Sequence, residues 1–121
     1  MLYRLALSIP LLLAPSLARA HAILMASDPP AGGTVAPGAA TLQLQYNSRI
    51  DQGRSKVTLS RQNGPDERLK FLPSQQPDML RANAALTPGD YTLHWFVLAT
   101  DGHITRGDVP FTVKAASQAT K

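Results

Sequence analysis

Apolar and polar residues alternate along much of the chain, and this alternation predicts β-strands. In TLQLQYN, at residues 41–47, three apolar residues alternate with polar ones, which is typical of a strand with one buried face. SKVTLSR, at residues 55–61, repeats the pattern. The longest such segment is YTLHWFVLAT, residues 91–100. Its predicted inward face carries Tyr91, Leu93, Trp95 and Val97.

Shorter segments extend this pattern and complete the predicted fold. VPFTVK, at residues 109–114, and the stretch 67–72 carry apolar residues at the same spacing. Residues 73–85 are less regular, with one short strand expected at 79–82. About seven strands separated by turns rich in Gly, Pro and Asn indicate an all-β sandwich or barrel. The alternative is a mixed α+β domain with a helix within residues 73–85.

The first twenty residues have the three parts of a secretory signal peptide. Arg4 is followed by an apolar run over residues 5–13 and by the small-residue sequence Ala18-Arg19-Ala20. Because the run is shorter than the roughly 20 residues of a membrane-spanning helix, we expect cleavage after Ala20 and export to the periplasm. An uncleaved membrane anchor is the alternative. Residues 21–121 then form one domain that begins with His21.

Composition narrows the chemistry that this domain can perform. The chain has no cysteine, which excludes disulfides, thiolate catalysis and cysteine-ligated metal centres. Removal of Arg4 and Arg19 leaves ten of the 12 Lys and Arg residues against eight Asp and Glu residues. These basic residues are scattered, which argues against nucleic-acid binding.

Three residues are candidate metal ligands: His21, Asp101 and His103. A histidine at a free N-terminus offers its amine and its imidazole to one metal ion. Asp101 and His103 lie on either side of Gly102, so their side chains point to the same side if the backbone there is extended. Nitrogen and oxygen donors in a roughly square arrangement suit Cu(II). The alternatives are an ordinary Asp-Gly-His turn and a frayed terminus. His94 is predicted on the outer face of its strand, and is an auxiliary ligand otherwise.

Several segments together resemble the periplasmic copper resistance protein CopC family. They are HAILMASDPPAGG, TLQLQYN, SKVTL and YTLHWFVLATDGHITRGDVPFTVK, which cover residues 21 to about 114. The resemblance implies a small Greek-key β-sandwich, immunoglobulin-like, that carries or buffers Cu(II) and is not an enzyme. It also implies one Cu(II) per chain on His21, Asp101 and His103, and an inner-membrane copper transport protein (CopD-like) as a partner. The methionine-rich loop that binds Cu(I) in many members is absent, since the matching region offers only Met79.

Two other functions remain open at this point. The first is an oxidative enzyme with a copper histidine brace, as in lytic polysaccharide monooxygenases. A carboxylate from Asp101 in the copper plane argues against it, because oxygen chemistry needs that position open. The second is a structural sandwich that binds no metal, in which the three histidines are incidental.

Overall fold

The computed structural model describes residues 22–115, which form two stacked β-sheets. The strands are β1 (Leu24–Asp28), β2 (Gly33–Val35), β3 (Gly38–Tyr46), β4 (Lys56–Arg61), β5 (Glu67–Arg68), β6 (Met79–Leu86), β7 (Gly89–Leu98) and β8 (Ile104–Val113). A single turn of 3-10 helix, Gln52–Arg54, precedes β4. Within residues 22–115, no helix has the length and apolar character needed to cross a membrane.

One sheet has the order β1-β3-β6 and the other β2-β8-β7-β4-β5. All pairs are antiparallel except β2 and β8, which run parallel. The prediction of a small all-β sandwich is confirmed, and the Greek-key arrangement is consistent with this architecture. The hydroxyl of Tyr91 accepts a hydrogen bond from the backbone N–H of Thr87 (3.1 Å). A tyrosine bonded to the backbone a few residues upstream is a hallmark of immunoglobulin-like sandwiches.

The core lies between the sheets and consists of the inward residues of the alternating strands. The four inward residues predicted for β7 are all buried, as are those of β3. The largest fully buried side chains are those of Leu44, Tyr46, Leu80, Leu93, Val97, Val109 and Val113. Burying each such side chain contributes about 1.5–3 kcal/mol, and with no cysteine in the chain this apolar contact holds the sheets together.

Trp95 and Gly107 form a closely packed pair across β7 and β8. They are register partners, and a Cβ atom on Gly107 would lie 2.5 Å from Cζ2 of Trp95. The indole therefore lies directly over the β8 backbone, a position that a larger residue at 107 would block. Its other neighbour is Tyr46 of the opposite sheet, with ring centroids 5.3 Å apart and planes at 73°.

The segment 67–86 departs most from the prediction. The expected strand over 67–72 is limited to the two residues of β5, with an isolated bridge at Phe71. Conversely, the short strand expected at 79–82 extends to Leu86. Residues 73–85 contain no helix. β2 was not predicted, because its three residues lie within a turn-rich segment.

Candidate metal centre

The Asp-Gly-His sequence forms the turn that joins β7 to β8. The turn is closed by hydrogen bonds from the N–H of Ala99 to the carbonyl of His103 (2.8 Å) and from the N–H of Gly102 to the carbonyl of Ala99 (2.9 Å). Gly102 has φ of +95°, a left-handed value that glycine adopts without steric cost. The backbone is thus turned here rather than extended, as the turn alternative predicted.

This turn brings Asp101 and His103 together. Oδ1 of Asp101 accepts a hydrogen bond from the backbone N–H of His103 (3.1 Å), and Nδ1 of His103 lies 3.4 Å from the same oxygen. That backbone N–H is the main cause that lowers the pKa of Asp101 below its ordinary value, because it stabilises the charged carboxylate. The side chain of Asp101 is 39% exposed and that of His103 is 52% exposed. Both metal-binding groups are therefore accessible from solvent.

The chain just after residue 21 is fixed beside this turn. Ala22 is fully buried, and its carbonyl accepts a hydrogen bond from the hydroxyl of Thr105 (2.7 Å), two residues beyond His103. The N–H of Ile23 donates to Oδ1 of Asn47 (2.7 Å), and the carbonyl of Ile23 accepts from the N–H of Asn47 (3.0 Å). These contacts tie the first described residues to both sheets.

The described residues therefore contain two of the three predicted ligands. His21 lies outside residues 22–115, and within that range no group of three or more His, Cys, Asp and Glu side chains is close enough to hold a metal ion. An imidazole nitrogen and a carboxylate oxygen suit Cu(II) or Ni(II) in a square arrangement. A square arrangement has four ligands, of which Asp101 and His103 supply two. A complete metal centre therefore needs ligands from outside the described residues.

His94 lies on the outer face of β7, as predicted, and away from the turn. Its Nδ1 is 2.6 Å from Oδ1 of Asp108, its register partner on β8. His94 precedes Leu98 by four residues, and Leu98 pairs with Ile104 at the start of β8. At about 3.3 Å per residue, His94 is roughly 13 Å along the strand from that pair. This separation argues against His94 as an auxiliary ligand of the turn.

Arg106, which also flanks the turn in sequence, points to the outer face. Its guanidinium carbon lies 5.3 Å from the centre of the Phe96 ring, and Nζ of Lys56 lies 5.1 Å from the same ring. Arg106 thus contacts Phe96, and Asp108 contacts His94.

Thr105 and Asn47 were not among the candidates from the sequence, although their contacts hold the N-terminal segment. The alternation of inward and outward residues in β8 could have identified Thr105. It is the register partner of the inward Val97, so it is a polar residue at an inward position. At 47 no pattern was available, since a polar residue after a strand is ordinary turn chemistry.

Comparisons with known proteins identify the family to which the chain belongs. The family model described as "CopC domain" matches residues 24–114, and the chain belongs to this family. It is 31% identical to Protein YobA of Escherichia coli strain K12, over 93% of each chain.

Two solved structures share the fold. CopC from Methylosinus trichosporium OB3b superposes with a TM-score of 0.71 and 25% identity, covering 83% of this chain and 100% of that one. PcoC of Escherichia coli, described as a methionine-rich copper resistance protein, superposes with a TM-score of 0.64 and 27% identity, covering 78% and 100%. The resemblance to the CopC family is thereby confirmed.

Proposed function

We propose that this chain is a periplasmic Cu(II) carrier or buffer in copper resistance or homeostasis. In this proposal residues 1–20 are a signal peptide cleaved after Ala20, and residues 21–121 are the working domain. One Cu(II) ion is held by the amine and imidazole of His21, the carboxylate of Asp101 and the imidazole of His103. Copper is the cargo, and the domain catalyses no reaction.

The observation that carries the proposal is the fixed position of Ala22. Ala22, the residue that follows the proposed N-terminal ligand, is fully buried. The Ala22 carbonyl is bonded to Thr105, two residues from His103. Cleavage after Ala20 would create the terminal amine in the neighbourhood of the two exposed donors of the turn.

The donor chemistry favours Cu(II) over Cu(I). Cu(I) prefers soft sulfur ligands, and the chain has no cysteine. Residues 21–121 contain two methionines, Met25 and Met79, which lie on β1 and β6 on either side of β3. PcoC, by contrast, is described as methionine rich. We therefore propose a single Cu(II) site with no separate Cu(I) site.

The same donor set supports carriage rather than catalysis. A carboxylate ligand from Asp101 would occupy a position in the copper plane that oxygen chemistry needs open. A carrier needs an exposed site from which copper can leave, and the side chains of Asp101 and His103 are exposed. An inner-membrane copper transport protein (CopD-like) is the proposed partner.

The test is a Cu(II) titration of the protein expressed from its full coding sequence and purified from the periplasm. Its N-terminus is first read by mass spectrometry. A second version carries one alanine inserted between Ala20 and His21, and a matched control carries one alanine after Lys121. Competition with a chelator of known affinity gives the Kd of each.

The native N-terminus should bind one Cu(II), and the inserted alanine should weaken binding by more than about 100-fold. Loss of an outer-shell partner alone typically costs about 10- to 100-fold, and here a direct ligand is lost. The C-terminal control should bind like the native protein. Equal affinity in all versions would exclude the amine as a ligand, and the absence of binding would refute the function.

A further inference from the structure

We infer that Thr105 and Asn47 act as a clamp that positions the terminal amine of His21 for copper. This inference rests on the proposed function, since it assigns a role to residues that do not themselves contact the metal. Both are therefore positioning residues. They lie on different sheets: Thr105 is in β8, and Asn47 directly follows β3.

The two side chains hold opposite ends of one peptide group. The carbonyl oxygen of Ala22 and the N–H of Ile23 belong to the same planar unit. Thr105 donates to that oxygen at 2.7 Å, and Asn47 accepts from that N–H at 2.7 Å. Because the anchors come from the two facing sheets, this peptide plane is fixed relative to both.

The clamp fixes the chain directly after the proposed N-terminal ligand. Ala22 is fully buried, so its packing restricts rotation about its own backbone bonds. The Ala22 carbonyl and the following N–H are both bonded by side chains. The residue that follows the proposed ligand is therefore held at one place in the fold.

This restriction matters because a chain terminus is otherwise a poor ligand. Unanchored termini fray, and ordering one on binding costs affinity that a pre-organised terminus retains. The clamp also connects the two halves of the proposed site, because Thr105 follows His103 by two residues on the same chain. It therefore sets Ala22 and the turn in a fixed relation before copper arrives.

A double-mutant cycle tests the clamp. Thr105→Val removes the hydroxyl and keeps the branched shape, whereas Thr105→Ser keeps the hydroxyl. Each is made in the protein with the native N-terminus and in the version with alanine inserted before His21. Thr41→Val is the matched control, because the Thr41 hydroxyl donates a bond of 2.8 Å to Oδ1 of Asn83, and Thr41 lies in β3, six residues before Asn47. Chelator competition gives the Cu(II) Kd, and electron paramagnetic resonance reports the in-plane nitrogen ligands.

Positioning predicts a specific pattern in this cycle. Thr105→Val should weaken copper binding about 10-fold in the native background, within the range for outer-shell partners, and add a second paramagnetic species. In the extended background it should change the Kd by less than about 2-fold, because coupled residues give non-additive effects. Thr105→Ser and Thr41→Val should match the parent protein in both backgrounds.

The outcomes that overturn the clamp differ from those that overturn the function. An equal loss in both backgrounds would mean that Thr105 acts only through general stability. No loss in the native background, when the inserted alanine does weaken binding, would refute the clamp and leave the copper site standing. No effect of the inserted alanine would refute the N-terminal ligand and the clamp with it. Should Thr105→Val fail to fold in a thermal melt, Asn47→Ala provides the same cycle from an exposed position.

Discussion

Two histidine–aspartate pairs of similar chemistry lie in different parts of this molecule. His103 and Asp101 share the turn at one end of the sandwich, with Nδ1 and Oδ1 3.4 Å apart. His94 and Asp108 face each other across two strands, with the corresponding atoms 2.6 Å apart. Both pairs are partly exposed. We propose a metal role for the first pair only, so composition alone does not identify the site.

The difference lies in what surrounds each pair. Side chains on a sheet face stand roughly parallel and point into solvent, so the neighbours of His94 do not converge on one point. The turn, by contrast, lies beside a second chain segment fixed through Ala22 and Thr105. It also holds its carboxylate by a backbone N–H. A metal centre requires converging donors, and we propose that the turn receives them from the N-terminal segment beside it.

The largest effect should separate the two histidines directly. His103→Ala should weaken Cu(II) binding by more than about 100-fold, because loss of a ligand exceeds the 10- to 100-fold cost of losing an outer-shell partner. His94→Ala is the matched control and should keep the parent Kd within about 2-fold, since surface substitutions remote from a site change free energies little. Chelator competition on both variants provides the measurement. A comparable loss of Cu(II) affinity in His103→Ala and His94→Ala would mean that His94 is also a copper ligand, and that the two histidine–aspartate pairs do not differ in function.

Acidity should act on the turn pair through its copper affinity. The amine and the imidazoles must lose their protons before they bind a metal ion, so protons compete with copper for these nitrogen atoms. The apparent Kd for Cu(II) should therefore rise as the pH falls from 8 to 5. Asp101 adds little to this competition, because its pKa is lowered from an already acidic value.

This dependence is measured by repeating the Cu(II) titration between pH 8 and 5 in buffers that do not bind copper. The His94→Ala protein should give the same slope, since that imidazole is not a ligand. An affinity that stays constant to about pH 5 would show that neither the amine nor an imidazole binds copper.

Much of the fold could be predicted from alternation, and the misses have physical causes. β3, β4, β7 and β8 each contain a run of buried apolar residues at every second position, which makes their pattern plain. β6 was underestimated because Ala82 and Ala84 are two of its four buried residues, and alanine has low β propensity. β2 forms only by pairing with β8 along residues 33–35, a long-range contact that no local pattern reveals.

The candidate site was predictable in identity but not in geometry. The sequence predicted Asp101 and His103 as neighbours, yet it left open whether the backbone there was extended or turned. The hydrogen bond from the His103 N–H to Asp101 depends on the turn that Gly102 permits. The clamp could not be predicted from the sequence, because Thr105 and Asn47 contact the residues after His21 only when both sheets are assembled. The role of His21 stays a prediction, since it lies outside the described residues.

The smallest effect should come from breaking the strand pair. Asp108→Asn removes the charge opposite His94, where the two side chains are 63% and 45% exposed. Solvent-exposed ion pairs contribute about 0.2–1 kcal/mol, so the free energy of unfolding in urea should fall by less than about 1 kcal/mol. Copper affinity should not change.

The matched substitution in the turn sharpens the contrast. Asp101→Asn keeps an oxygen that can accept the N–H of His103, so the turn should form, but it removes the carboxylate that we assign to copper. Its stability without metal should therefore resemble that of Asp108→Asn, while its Cu(II) affinity alone should drop. Two substitutions of the same kind would then differ only in their copper binding. Equal affinities would mean that Asp101, like Asp108, serves only its neighbouring histidine and the backbone.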